Sequence, residues 1–201
     1  ESEKLAAGLL LLSPFVPLLF MGQEYGERRP FQYFVSHGDP DLVEAVRRGR
    51  REEFASFGWQ GEVPDPQDPE TMAACVLDQE ARSAGNHAKL YALHRRLLEM
   101  RSHLRAFPDS VSGHDDERWL LVERPQARLW FHFGAAERRI AVAGAGVWRL
   151  ALDSAADEWG GPGRVAPAEI GDRGEVVLQP RSFVVYTRAE AAPPSVKGKN
   201  T

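Results

Sequence analysis

The hydrophobic period of this chain changes once, from helical to two, close to residue 108. Before that point Leu5, Leu9 and Leu12 recur at helical spacing, and so do Leu90, Leu93 and Leu97 with Met100 or Arg101. After it, Leu120 and Val122 alternate with Trp119 and Leu121. Leu129, Phe131 and Phe133 alternate with Trp130 and His132. The pattern continues through Val147–Asp153, Glu175–Leu178 and Ser182–Thr187. Alternation places one face of each strand on a core and the other towards a second layer or solvent. The second half therefore reads as a small antiparallel β-sandwich over residues 108–190, followed by a disordered polar tail over 191–201. Arg124-Pro125-Gln126-Ala127 and Gly144-Ala145-Gly146 read as connections between antiparallel strands.

The first half, residues 1–107, has a different grammar. A largely buried helix is expected over Ser2–Leu12, with Ser2 as N-cap and Ser13-Pro14 as its stop. Val16–Met21 is then a short apolar run without alternation. Strands buried on both faces in parallel sheets read this way. A helix leading into such a strand is half of a parallel αβ repeat. Asp39-Pro40 opens a further helix, with Asp41 and Glu44 early and Arg47, Arg48, Arg50 and Arg51 late, an order that complements the helix dipole. The stretch Val63-Pro64-Asp65-Pro66-Gln67-Asp68-Pro69 excludes regular helix and central strand. The clearest helix covers Asn86–His103.

Charge and cysteine content remove several function classes. A net charge of -4 and interleaved acids and bases argue against a nucleic-acid partner. The apolar stretch Leu5–Met21 is interrupted by Ser13, Pro14 and Pro17, so it is a poor membrane span, and it lacks the basic start of a signal peptide. Cys75 is the single cysteine, which suits a reducing, cytoplasmic setting. His87 and His94 lie two helical turns apart, too far to share a metal without other ligands. Neither a phosphate-binding glycine loop nor a serine nucleophile elbow occurs. No cofactor and no metal are expected.

Candidate chemistry sits after the apolar run, where Gly22-Gln23-Glu24-Tyr25 is followed by Phe31, Gln32, Tyr33, Phe34 and His37, then Phe54, Phe57 and Trp59. Rings with polar groups between them suit sugars, whose apolar faces stack on aromatics while amides and carboxylates take their hydroxyls. A small aromatic core covering the strand is the other reading of the same spacing. Glycoside hydrolysis needs two carboxyl groups facing one bond, about 5 Å apart in retaining enzymes. Glu24 is the one acid at the end of the apolar run, so it reads as a positioning or ion-paired residue.

Pro17-Leu18-Leu19-Phe20-Met21 followed by Gly22-Gln23-Glu24-Tyr25 resembles the last barrel strand of α-amylase-type enzymes. Pro30-Phe31-Gln32-Tyr33-Phe34, His37, Gly49-Arg50-Arg51-Glu52-Glu53-Phe54 and the proline-rich Val63–Pro69 resemble the malto-oligosyltrehalose trehalohydrolase family. The resemblance covers roughly residues 1–105; the sandwich matches in pattern, with Gln179–Tyr186 as its last strand. Tyr25 stands where the family often has Trp, Arg28-Arg29 replace small polar residues, and Gln79 stands where Trp usually follows Leu77-Asp78. The resemblance implies the last helix-strand-helix part of a (β/α)8 barrel followed by the sandwich. It implies a retaining hydrolase that releases trehalose from maltooligosyl trehalose by cleaving the adjacent α-1,4 bond. The aspartate nucleophile, glutamate acid/base and stabilising aspartate would lie on earlier strands, upstream of this chain, whose partner would be that N-terminal part. On this basis Glu24, Tyr25, Phe31, Gln32, Tyr33 and Phe34 are expected to line or support the glucan cleft. The alternatives are a branching or debranching enzyme, or a non-catalytic glucan-binding sandwich using Trp119, Trp130, Trp148 and Trp159 as a platform.

Overall fold

A computed structural model describes residues 1–144 and 146–188; the expected disordered tail, residues 191–201, lies outside the described residues. Four helices lead: α1 (Ser2–Leu12), α2 (Pro40–Ser56), α3 (Pro69–Ala74) and α4 (Gly85–Leu104). Eight strands follow: β1 (Ser110–His114), β2 (Trp119–Arg124), β3 (Ala127–His132), β4 (Arg138–Ala141), β5 (Trp148–Asp153), β6 (Glu169–Ile170), β7 (Glu175–Leu178) and β8 (Phe183–Arg188). They form a six-stranded sheet in the order β1-β2-β3-β8-β5-β6 and a two-stranded sheet, β4-β7. All pairings are antiparallel. The tight β2–β3 hairpin closes with Arg124 opposite Ala127, the turn that Pro125-Gln126 predicts. The Gly144–Gly146 connection instead links β4 to β5, strands of different sheets.

Strand alternation divides the buried side chains between two cores. Leu129, Phe131, Phe183 and Val185 face one way and meet Leu5, Leu11, Leu12, Leu93 and Leu97 from α1 and α4. Trp130, Val184 and Tyr186 face the other way and meet Ile140, Val142, Val176 and Leu178 beneath the small sheet. Central β3 and β8 are thus covered on both faces, by helices and by strands. Leu93 and Leu97 are wholly buried, and each such side chain contributes about 1.5–3 kcal/mol by leaving water. The first core joins residues from both sides of residue 108.

Helix boundaries follow local chemistry. Asp39 caps α2 as expected: its carboxylate accepts the N–H groups of Asp41 and Leu42, with Pro40 in the first turn. Asp68 caps α3 through the Glu70 N–H. Ser2 is not the cap of α1; Glu1 holds that place and its side chain caps nothing. Helix α2 runs through Gly49 and buries no residue.

The expected strand at Val16–Met21 is corrected. The segment takes no regular secondary structure, ends in a turn and has no ladder partner among the described residues. Val16 is 93% and Leu18 87% exposed. A run of apolar residues becomes a strand only when neighbours take its N–H and C=O groups, and no described strand lies beside it. The four tryptophans serve as packing residues, as the reading opposed to a platform expects. Trp119, Trp130 and Trp148 are buried in the inter-sheet core, and Trp159 packs against the helical one.

Candidate functional site

The site is built around a tight turn after the exposed apolar run. Gly22 adopts a left-handed backbone, φ 80°, and starts a short 3-10 helix over Gln23–Tyr25. A Cβ at Gly22 would sit 2.5 Å from the Glu27 Cβ, so glycine is required here. The turn folds Tyr25 inward, where it is fully buried. Its hydroxyl donates to Glu27 Oε2 at 3.1 Å, and its carbonyl meets His87 Nδ1 of α4 at 2.7 Å. Burial first, then the Glu27 carboxylate, raises the Tyr25 pKa and keeps the phenol protonated. Tyr25 supports the site from below and does not line it.

Glu27 is the hub that sequence reasoning missed. Besides Tyr25, its carboxylate accepts the N–H groups of Arg28 at 2.7 Å, Arg29 at 2.9 Å and Asp78 at 2.6 Å. These donors, led by the Arg29 and Asp78 amides, hold its pKa down to about 2. Arg29 extends the tie, donating to the Val76 carbonyl at 2.6 Å. The following segment is laced along residues 65–78. Gln32 N–H meets Cys75 Sγ at 3.2 Å, Val35 N–H meets the Pro66 carbonyl at 2.8 Å, and Gln67 bonds both backbone groups of His37. Cys75 is buried and donates to the Thr71 carbonyl at 3.2 Å.

This lacing turns the aromatics outward. Phe31, Tyr33 and Phe34 are exposed, whereas Gln32 is half-buried. Phe31 packs edge-to-face on Phe20, ring centroids 5.1 Å apart. Together with Met21, Gln23, Glu27, Arg29, Pro30, Leu77 and the start of α1, these two rings bound a cleft of about 470 Å³. His94 lines the same cleft, with Nδ1 on the Leu90 carbonyl and Nε2 without a partner. On the other side of Phe31 lies a second hollow of about 300 Å³ that also takes in Tyr33, Arg50, Phe54 and Trp59. Glu24 is half-buried and enters no ion pair among the described residues, so the ion-paired role expected of it is corrected. The three-dimensional arrangement therefore brings Phe31, Gln32 and Tyr33 to one surface, with Tyr25 beneath. No group of three metal-ligating side chains occurs among the described residues.

An exposed aromatic strip hung on a polar clamp suits stacking on sugars. Over 151 residues the chain is 42% identical to a malto-oligosyltrehalose trehalohydrolase of Rhizobium sp. (strain M-11), covering 70% of this chain and 24% of that one. Over this stretch the chain is a homologue of malto-oligosyltrehalose trehalohydrolases. A trehalohydrolase of Mycobacterium tuberculosis is 37% identical over 145 residues, covering 69% of this chain and 25% of the relative. The chain thus spans about a quarter of the length of the curated trehalohydrolases it matches. No protein-family model matches it. Among solved structures, a Salmonella typhimurium protein classed as an alpha amylase superposes with TM-score 0.68 at 27% identity, covering 92% of this chain and 30% of that one. An alpha-amylase from H. orenii superposes with TM-score 0.52 at 16% identity, covering 93% of this chain and 35% of that one, a likeness of fold. No described helix is long and apolar enough to cross a membrane.

Proposed function

We propose that this chain is the C-terminal part of a retaining α-glucan hydrolase that releases trehalose from maltooligosyl trehalose by cleaving the adjacent α-1,4 bond. On this reading residues 1–107 complete a (β/α)8 barrel, the sandwich follows it, and a cytoplasmic setting suits the single cysteine. The observation that carries the reading is the 42% identity to a protein named for that activity. The exposed run from Phe15 to Met21 supports it, because apolar surface of this extent is what a neighbouring polypeptide would cover.

Four of the nearby acids, Glu27, Asp39, Asp65 and Asp68, are committed to holding the fold. Glu27 is saturated by four donors and held near pKa 2, far too acidic to protonate a leaving group near neutral pH. Asp65 is tied to Arg47 at 2.7 Å, and Asp39 and Asp68 cap helices. The resemblance to the trehalohydrolases is what leads us to infer that the nucleophile and general acid lie in polypeptide upstream of this chain. Glu24, Tyr25, Phe31, Gln32, Tyr33 and Phe34 bind or support the glucan: Phe31 and Tyr33 by stacking, Tyr25 by holding the turn. The complete enzyme should release trehalose from maltooligosyl trehalose, and the 201-residue chain alone should release none. Phe31→Ala in the complete enzyme should cost about 1–3 kcal/mol in kcat/KM. Trehalose release by the isolated chain, or branching by the complete enzyme in place of hydrolysis, would overturn the reading.

A further inference from the structure

Helix α2 buries nothing, yet its C-terminal half carries an ordered aromatic group that the core does not use. Trp59, just beyond the helix, is 58% exposed and Tyr33 opposite is 48% exposed. Phe54 meets Trp59 edge-on, centroids 6.1 Å apart at 71°. The indole is seated on Gly61: a Cβ there would lie 2.7 Å from Nε1 and 2.9 Å from Cε2, so the chain passes beneath the ring only because this residue is glycine. Between the rings, the Arg50 guanidinium sits 4.9 Å from the Phe54 centroid and 5.2 Å from the Tyr33 centroid. Glu53 pairs with it and fixes its direction. Gln32 and Glu62 complete the wall of the hollow, whose volume is about 300 Å³.

We propose that Trp59, Arg50, Tyr33 and Phe54 form a binding site for one or two glucose rings of an α-glucan, alongside the cleft at Phe31. The proposal rests on the glucan reading above and assigns to α2 a role that reading leaves open. A ring held with one face open stacks on the C–H face of a pyranose without first losing conformational freedom. Sugar hydroxyls both donate and accept. Arg50 supplies fixed donors, while Glu62 and Gln32 supply acceptors. An anionic ligand fits less well, because Glu53 already neutralises Arg50 and Glu62 lines the same wall. A purely apolar ligand would leave these groups unpaired, at a cost.

The test is maltotetraose binding to the complete enzyme, followed by tryptophan fluorescence and calorimetry, with trehalose release measured on the same samples. Trp59→Ala should weaken maltotetraose binding about tenfold and Trp59→Phe should restore most of it. Gly61→Ala, which keeps the indole but displaces it, should also weaken binding. Should Trp59→Ala melt below the wild type, Gly61→Ala and Trp59→Phe decide the matter. Wild-type affinity in both Trp59→Ala and Gly61→Ala overturns the site, and so does cellotetraose binding as tightly as maltotetraose through Trp59. The two readings fail separately. An enzyme that binds maltotetraose through Trp59 but releases no trehalose loses the hydrolase assignment and keeps this site. One that releases trehalose with unaltered KM in Trp59→Ala does the reverse.

Discussion

Lys4 on α1 donates to the Ser154 carbonyl at 2.9 Å and to the Trp159 carbonyl at 3.3 Å, and so fastens the first helix to the turn after β5. The ammonium is buried, with Glu1 at 2.7 Å as its counter-ion. Lys4→Met keeps the apolar stem but leaves the buried Ser154 carbonyl, and the part-buried Trp159 carbonyl, without this donor. An unpaired buried acceptor costs about 1–3 kcal/mol. Urea denaturation should show a loss of that size, with the midpoint shifted and the slope unchanged. An unshifted midpoint would mean that water replaces the ammonium without penalty.

Gly8 faces the same interface. A Cβ at this position would lie 2.5, 2.7 and 2.8 Å from three atoms of the Phe183 ring. Alanine would improve helix propensity by about 1 kcal/mol. The steric term wins, because Phe183 is fully buried and stacked on Phe131 with centroids 5.6 Å apart, so the ring has nowhere to go. Overpacking of this kind costs about 1–3 kcal/mol or more. Gly8→Ala should therefore lower the thermal midpoint, and a rise would show that α1 slides on the sheet.

Glu27 makes the turn beneath the aromatic strip sensitive to acid. Its pKa is held down from an ordinary 4.5 to about 2 by the Arg29 and Asp78 amides. A carboxyl with a lowered folded pKa stabilises the fold fully above its unfolded value. That stabilisation is lost as pH falls through 4.5 towards 2. Glu27→Gln should be less stable than wild type at pH 7, and the gap should narrow steadily below about pH 4.5. Melting curves of both proteins across this range check it, and a gap independent of pH would show that the neutral carboxamide's geometry, not the charge, is at fault.

What the sequence disclosed follows from how each element is held. The β3 and β8 strands announce themselves because both faces are buried and alternate between two cores. β1, β4 and β6 do not: β1 is exposed along its length, β4 reads Arg138-Arg139-Ile140-Ala141, and β6 has two residues. The α2 helix was legible from Asp39-Pro40 and from its acid-to-base charge order, local signals that need no burial. Val16–Met21 has the composition of an interior strand, but composition cannot supply the neighbour that a ladder requires. Phe31 and Tyr33 were expected beside Gln32 either at a sugar-binding surface or in a small core, and their exposure speaks against the core. Glu27 was not legible, since one of its donors is the backbone of Asp78, 51 residues away, and a backbone amide leaves no mark on residue identity.

Arg101 of α4 is the clasp for the end of α1. Its guanidinium donates to the carbonyls of Leu11 at 2.8 Å, Ser13 at 2.6 Å and Phe15 at 2.6 Å. The last carbonyls of a helix have no partner within it, and α1 ends with no basic residue of its own in its last turn. A cation at that end also meets the negative pole of the helix dipole. Arg101→Leu keeps the packing stem and removes all three donors. A buried hydrogen bond to a charged group contributes about 1.5–3 kcal/mol net of exchange with water, and one whose acceptor is readily rehydrated contributes far less. The Phe15 side is open to water, so the net loss should fall nearer 1–2 kcal/mol. Hydrogen exchange offers the sharper readout. The amides at the C-terminal end of α1 should lose protection in Arg101→Leu while those of α4 keep theirs. Equal loss along both helices would mean that Arg101 supports the whole helical layer and not the clasp alone.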